Sequence, residues 1–282
     1  MSVPPATRRC AWQPLTPGGI AAFAEATFGR LLTVQLLVAL LVTVSVLWFL
    51  VTTWFPVIAA ATRALPEHAQ ITSGHLDWAG DPTTTLAESR FLAVAVDLDH
   101  QGAARSPAHV QVEFGRFDSR IIALFGFVQL DYRSHWTTPF NRTELVPWWE
   151  AWSPALLAMV SLGVLVGLQA MWWALSTLYF LPVWLAAFFA DRRLSLAGSW
   201  RLAGASLMPG AFLMVAVVVA YTRGFLTLVD LGVAVAAHLV LGWIYLAASV
   251  ASLSRSSSET AASANPFDAA PASSTQSQDK DR

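Results

Sequence analysis

Three stretches of this chain, 31–61, 154–190 and 225–251, are each longer than the roughly 20 helical residues needed to cross a hydrocarbon core of about 30 Å. Asp230 is the one Asp, Glu, Lys or Arg they contain. Segments this long and apolar have few folded solutions in water, because no ordinary domain core could bury them on all sides. The rest of the composition agrees: of 282 residues, 55% are hydrophobic and 12% charged, with a mean hydropathy of +0.53. The fold class expected is an α-helical integral membrane protein with four transmembrane helices and a small β-rich extracytoplasmic domain inserted between helices 1 and 2.

Along the chain, 1–30 reads as a cytoplasmic N-terminal segment in which 18–30 could lie as an interfacial helix. Residues 31–61 form helix 1, with Pro56 placed to bend or end it. The alternative is a signal peptide cut near 59-AAAT-62, against which stand the long leading segment and an apolar core longer than such peptides carry. Between 62 and 153, apolar residues begin to alternate with polar ones and turn residues become frequent, predicting strands over 69–78, 90–99, 109–117 and 120–132. Helix 2, 154–190, would be about 55 Å long if straight, so a break is expected near Pro182. A basic loop, 191–206, follows. Ser206 is placed to cap helix 3, 207–222, with Pro209 in its first turn. Helix 4 spans 225–251, and 252–282 reads as a disordered tail.

Arginines set the orientation. Arg8, Arg9 and Arg30 precede helix 1, Arg192, Arg193 and Arg201 lie between helices 2 and 3, and Arg255 follows helix 4. Positive segments face the cytoplasm. The expected location is therefore a bacterial inner membrane, multi-pass, with both termini inside. A net charge of −1 with scattered basic residues excludes a nucleic-acid partner. The partners expected are the lipid bilayer, envelope or membrane proteins, and a second copy of the chain.

Polar residues inside the spans are the first functional candidates, because an unpaired polar group in hydrocarbon is costly. Gln35, Gln169, Asp230 and His238 qualify. Gln169 and His238 fall at similar depth and could hydrogen-bond across two neighbouring helices, as a packing clamp or as a proton relay. Asp230 could meet Arg223 two turns away or reach interfacial water. Gly163 and Gly167 have the small-xxx-small spacing of close helix packing.

In the β-rich segment the candidates are Asp97 and Asp99. On one strand they point the same way, roughly 7 Å apart, with His100 turned away from both, which fits a half-buried strand leaving its sheet. Five of six histidines fall in this segment, yet their spacing matches no zinc signature and no catalytic or cofactor motif is present, so neither a metal nor a cofactor is expected.

Three stretches carry a family likeness: 65-LPEHAQITSGHLDW-78, 91-FLAVAVDLDHQG-102 and 197-AGSWRLAGASLMPGAFL-213. They resemble an uncharacterised bacterial membrane family of the maltodextrin-utilisation type and, more distantly, Yip-type helical membrane proteins. The resemblance implies an accessory or sensory role and no catalytic residues. From the residues themselves, a non-enzymatic scaffold or sensor with an extracytoplasmic binding domain is expected. The alternative is a small oligomeric channel or transporter subunit lined by Gln169 and His238.

Overall fold

The computed structural model of the protein describes residues 12–135 and 137–255; Cys10, Arg8, Arg9 and most of the predicted tail lie outside them. The chain is mostly helical with one β domain. Four helical runs, Phe28–Ala64, Arg142–Phe189, Leu196–Thr222 and Leu228–Ala251, are long and apolar enough to cross a membrane.

Part of the N-terminal segment packs into the bundle. Helix α1 (Pro17–Ala22) is capped by Thr16, whose hydroxyl accepts from Gly19 N. Ile20 and Phe23 are fully buried in the bundle core with Leu202 and Met208. Arg201 donates to Ala24 O at 2.6 Å, and Tyr245 donates to Leu15 O at 3.0 Å. The apolar content of 18–30 is therefore used to plug one end of the bundle.

Helix α2 (Phe28–Phe49) opens on Thr27 and passes without interruption into a π-helical segment, Leu50–Trp54, and then α3 (Phe55–Ala64). Pro56 neither ends nor breaks this rod. The wider π turn resets the hydrogen-bond ladder just ahead of it, leaving Pro56 in the first turn of α3, where a missing N–H costs little.

Helix α4 (Arg142–Phe189) runs for 48 residues, about 72 Å, through Pro147, Pro154 and Pro182. The break expected near Pro182 does not occur. Val183 and Ala187, one and five residues on, are buried against the core, and that packing holds the helix together across the missing donor.

The expected loop at 191–206 is also corrected. After a short turn, α5 (Leu196–Ser206) begins at Ser195, whose hydroxyl accepts from Gly198 N. A single irregular residue, Leu207, joins it to α6 (Met208–Thr222). Ser206 does not cap α6; it is buried and donates to Ala203 O. The small residues Ala203, Gly204, Ala205 and Ser206 looked like a loop in the sequence. They let α5 come close to α2 and α4. Helix α7 (Leu228–Ala251) closes the bundle and leaves most of its outer surface exposed.

The bundle is locked by an amide relay. Gln35 on α2 is fully buried and donates to the carbonyl of Gly204 at 3.3 Å. That fixes its oxygen toward α4, where it accepts from Gln169 Nε2 at 3.0 Å. A Cβ on Gly204 would stand 2.7 Å from Ser176 Oγ and 3.1 Å from Gln35 Nε2.

The β domain holds two sheets. The smaller has the order β2-β1-β8, from β1 (Ala69–Thr72), β2 (His75–Trp78) and β8 (Thr137–Pro139). The larger has the order β3-β4-β5-β6-β7, from β3 (Thr83–Glu88), β4 (Leu92–Asp97), β5 (Val110–Phe114), β6 (Asp118–Ala123) and β7 (Gly126–Asp131). All neighbours are antiparallel except β4 and β5, which are parallel. A crossover without a helix, 98–109, must therefore return over one face of the sheet.

Gly204→Ala is expected to destabilise the bundle by about 1–3 kcal/mol through overpacking. Adding Ser176→Ala should recover part of it, read as the unfolding midpoint in detergent.

Candidate functional site: an apolar cleft against the sheet

Strand β4 is buried along its whole length. It is an inner strand covered on both faces, and does not leave the sheet half-buried. Ala93, Ala95 and Asp97 lie on the face under the crossover, where small side chains leave room for the returning loop. Asp97 is 1% exposed and accepts from Gly102 N at 2.8 Å, which pins the start of that loop. Asp99 lies beyond the strand end, exposed, and faces Arg116 at 3.8 Å. The two carboxylates therefore do not form a pair.

His100 does turn away from both, and its partners come from β5 and β6. Its Nδ1 meets Glu113 Oε1 at 2.5 Å and its Nε2 meets Asp118 Oδ1 at 2.5 Å. Both carboxylates are buried, and Gln111 Nε2 donates to the other Glu113 oxygen at 3.0 Å. Gly115 leaves the space the imidazole ring fills, since a Cβ there would overlap it. Burial, and next the charge of Asp118, push the Tyr132 phenol well above its ordinary value, so it stays a donor to Gly115 O at 3.2 Å. With both ring nitrogens committed, His100 acts as a clamp that closes the crossover onto the sheet. Sequence reading missed this cluster because a parallel crossover joins residues that no short spacing relates. The available signal was Gln111 and Glu113, two polar residues alternating on an otherwise apolar strand.

The opposite face of the sheet is apolar from β4 to β7. The register places Val94, Val112, Ile121 and Val128 in one row across the strands. At β4 and β5 this face is backed by Val57, Ile58 and Ala61 of α3. Between it, α3 and the first turns of α4 lies a cleft of about 290 Å³, walled by Ile58, Leu92, Val112, Phe114, Trp148 and Trp149. The backing stops at β6. Ile121 on β6 is 39% exposed, and Leu130 and Val128, 51% and 61% exposed, lie on β7, the edge strand, whose hydrogen-bonding groups are unpaired on one side.

The β domain is tied to the bundle beside this face. Arg90 donates to Gly224 O at 3.0 Å and to Leu226 O at 2.7 Å, the turn between α6 and α7. His109 Nδ1 meets the Tyr221 hydroxyl at 2.5 Å, with Phe91 and Phe49 packed around them. Burial, and next the Arg90 charge, hold His109 below the ordinary imidazole value of 6.5.

The intramembrane candidates are placed apart. Gln169 joins Gln35, as above, and does not meet His238. His238 bonds back to Val235 O on its own helix, and beside it the backbone of Gly210 approaches closely. Asp230 is the third residue of a capping box on α7, accepting from Thr227 N at 2.8 Å and from Thr227 Oγ1 at 2.7 Å. Arg223 instead lies over the Trp48 ring. At Gly163 and Gly167 no atom of the described chain lies within 4 Å of an added Cβ, so their face of α4 is open. No group of three or more His, Cys, Asp or Glu among the described residues is arranged to hold a metal ion.

No protein-family model matches the chain, and neither curated proteins nor solved structures yield a match. The likeness suggested by three short stretches therefore lends no further weight, and function is argued from the geometry.

Two measurements check this geometry. His100→Ala leaves two buried carboxylates facing each other and should cost about 3–5 kcal/mol. Asp99→Asn removes an exposed pair and should cost less than about 1 kcal/mol. Chemical denaturation of the full chain separates them. For His109 the sign follows from its lowered value: the unfolded chain takes up a proton first, so its contribution is complete above about pH 6.5 and is lost as pH falls below that. The unfolding midpoint should drop between pH 7.5 and about 5, and His109→Gln should flatten that drop.

Proposed function

We propose that the protein is a non-enzymatic integral membrane protein of the bacterial cytoplasmic membrane, with the β domain outside, acting as an accessory or sensor that binds an apolar ligand or partner against its large sheet. One observation carries this reading. The apolar sheet face is continuous from the walled cleft to the exposed row Ile121, Val128 and Leu130, and contiguous exposed apolar surface on a folded domain marks binding. The cleft has no polar wall to speak of, which favours a hydrocarbon chain or an apolar protein edge over a sugar or an ion. The four long apolar helices support the membrane placement, and the arginines at one end of the bundle support the orientation.

A second reading, an oligomeric channel or transporter subunit, draws on the open face of α4 at Gly163 and Gly167 and on the largely exposed α7. It requires a second copy on those faces and flux that depends on His238.

The two are separated by crosslinking and flux. A photoreactive residue at position 130 should form one defined adduct in the native host, a lipid or a protein distinguished by mass. Val128→Asp should reduce its yield about tenfold by placing a charge in the contact. Equal adduct from both forms overturns the binding reading. Flux in proteoliposomes that is abolished by His238→Ala establishes the second.

A further inference from the structure

A cavity of about 450 Å³ opens where the β domain meets the bundle, lined among others by Trp48, Thr52, Thr53, Arg90, Phe91 and Arg223. Two arginines therefore line one space. The ion pairs among the described residues include neither of them. The carboxylate nearest in the adjoining turn, Asp230, is already held by Thr227. Like charges lining one cavity repel without a counter-charge, and the Arg90 charge adds to burial in holding His109 below its ordinary value.

The arginines are the charged donors among the residues that line the cavity. The hydroxyls of Thr52 and Thr53 donate to the carbonyls of Trp48 and Phe49 within their own helix. Arg90 spends one N–H of each terminal nitrogen on the α6–α7 turn, which orients the guanidinium and leaves the remainder of its fork free. The Arg223 guanidinium lies over Trp48, its centre 5.4 Å from the ring centroid, with no side-chain hydrogen bond of its own among the described residues. One wall is the π-helical segment Leu50–Trp54, a conformation that recurs at functional positions. The cavity sits level with the end of α6 and the start of α7. In the membrane placement proposed above, on which this inference partly rests, that is the depth of the outer headgroups.

We propose that this cavity is an anion site that takes a phosphate group, held by Arg223 and by the free N–H groups of Arg90. Planar forked donors with no competing carboxylate match a phosphate oxygen pair. The phosphate can be the headgroup of an anionic lipid or free in solution, and the chemistry recognised is the same.

The test uses the full chain in detergent micelles, because Arg223 is exposed and its loss leaves the Arg90 contacts with the turn intact. Native mass spectrometry measures retention of phosphatidylglycerol against phosphatidylcholine, and calorimetry measures inorganic phosphate. Arg223→Gln should weaken binding about tenfold, with Arg223→Lys losing less, while the circular dichroism spectrum is unchanged. Preferential retention of phosphatidylglycerol that responds to Arg223→Gln assigns the site to lipid. Inorganic phosphate binding that responds to it assigns the site to a soluble anion, and this arm needs no bilayer, so it stands even if the membrane placement fails. Binding of neither probe, or binding that Arg223→Gln leaves unchanged, overturns the proposal.

Discussion

Gln35 lies fully buried on a helix that is otherwise almost wholly apolar, and its amide carries both a donor and an acceptor that hydrocarbon cannot satisfy. It has one arrangement that serves both. The amino group turns to the Gly204 carbonyl and the oxygen to Gln169, so three helices are fixed in rotation and height at once. Apolar surfaces alone do not supply this, because helices surrounded by lipid tails gain little from burying one leucine rather than another. The close approach at Gly204 follows from the same relay. A residue with a side chain would push α5 away from Ser176 and lengthen the Gln35 bond beyond use. With α5 in place, the plug formed by α1 has a surface to pack on, through Ile20, Phe23 and Leu202.

The β domain inherits this rigidity through the rod that begins at Phe28. The segment that carries Gln35 continues through the π turn into α3, and α3 supplies the backing of the sheet at Val57, Ile58 and Ala61. A second tie, Arg90 on the α6–α7 turn with His109 on Tyr221, prevents rotation about that rod. Two attachments on different helices make the sheet a fixed extension of the bundle. The cleft against the sheet face is therefore walled by α3 and α4, helices of the same frame.

What was legible in the sequence is what depends on local pattern. The apolar runs announced four long helices, and the alternation and turn residues after Arg63 announced a β domain. The strands over 109–117 and 120–132 were visible, although the second folds back at Leu124–Phe125 into β6 and β7. Tertiary packing hid the rest. Pro182 and Pro56 looked like breaks because the rule for proline is local, whereas burial of Val183 and a π turn ahead of Pro56 decide the outcome. The run 196–206 looked like a loop because small residues are poor markers of burial, though their smallness is what allows α5 into the core. β3 is rich in threonine and only partly buried, so it carried no apolar alternation to read. The site residues follow the same division: Gln35 and Gln169 stood out as polar interruptions, while the partners of His100 depend on a parallel crossover.

The fate of the reactive-looking side chains bears on what the protein can do. Asp97 is spent on Gly102, both nitrogens of His100 on carboxylates, Asp230 on its helix cap, and His238 Nδ1 on Val235. Each is used to hold backbone or to join elements. The surfaces that remain are of another kind: an apolar sheet face that loses its backing at β6, and two arginines beside the α6–α7 turn that enter none of the ion pairs among the described residues. One offers apolar area and shape, and the other fixed positive charge. A molecule with a hydrocarbon part and a phosphate could answer to both descriptions, but α3 and β4 stand between the two surfaces: Ile58 and Leu92 face the cleft, and Val57 and Phe91 face the arginines. The geometry therefore supports two separate binding events on one frame, one at the sheet and one beside the α6–α7 turn.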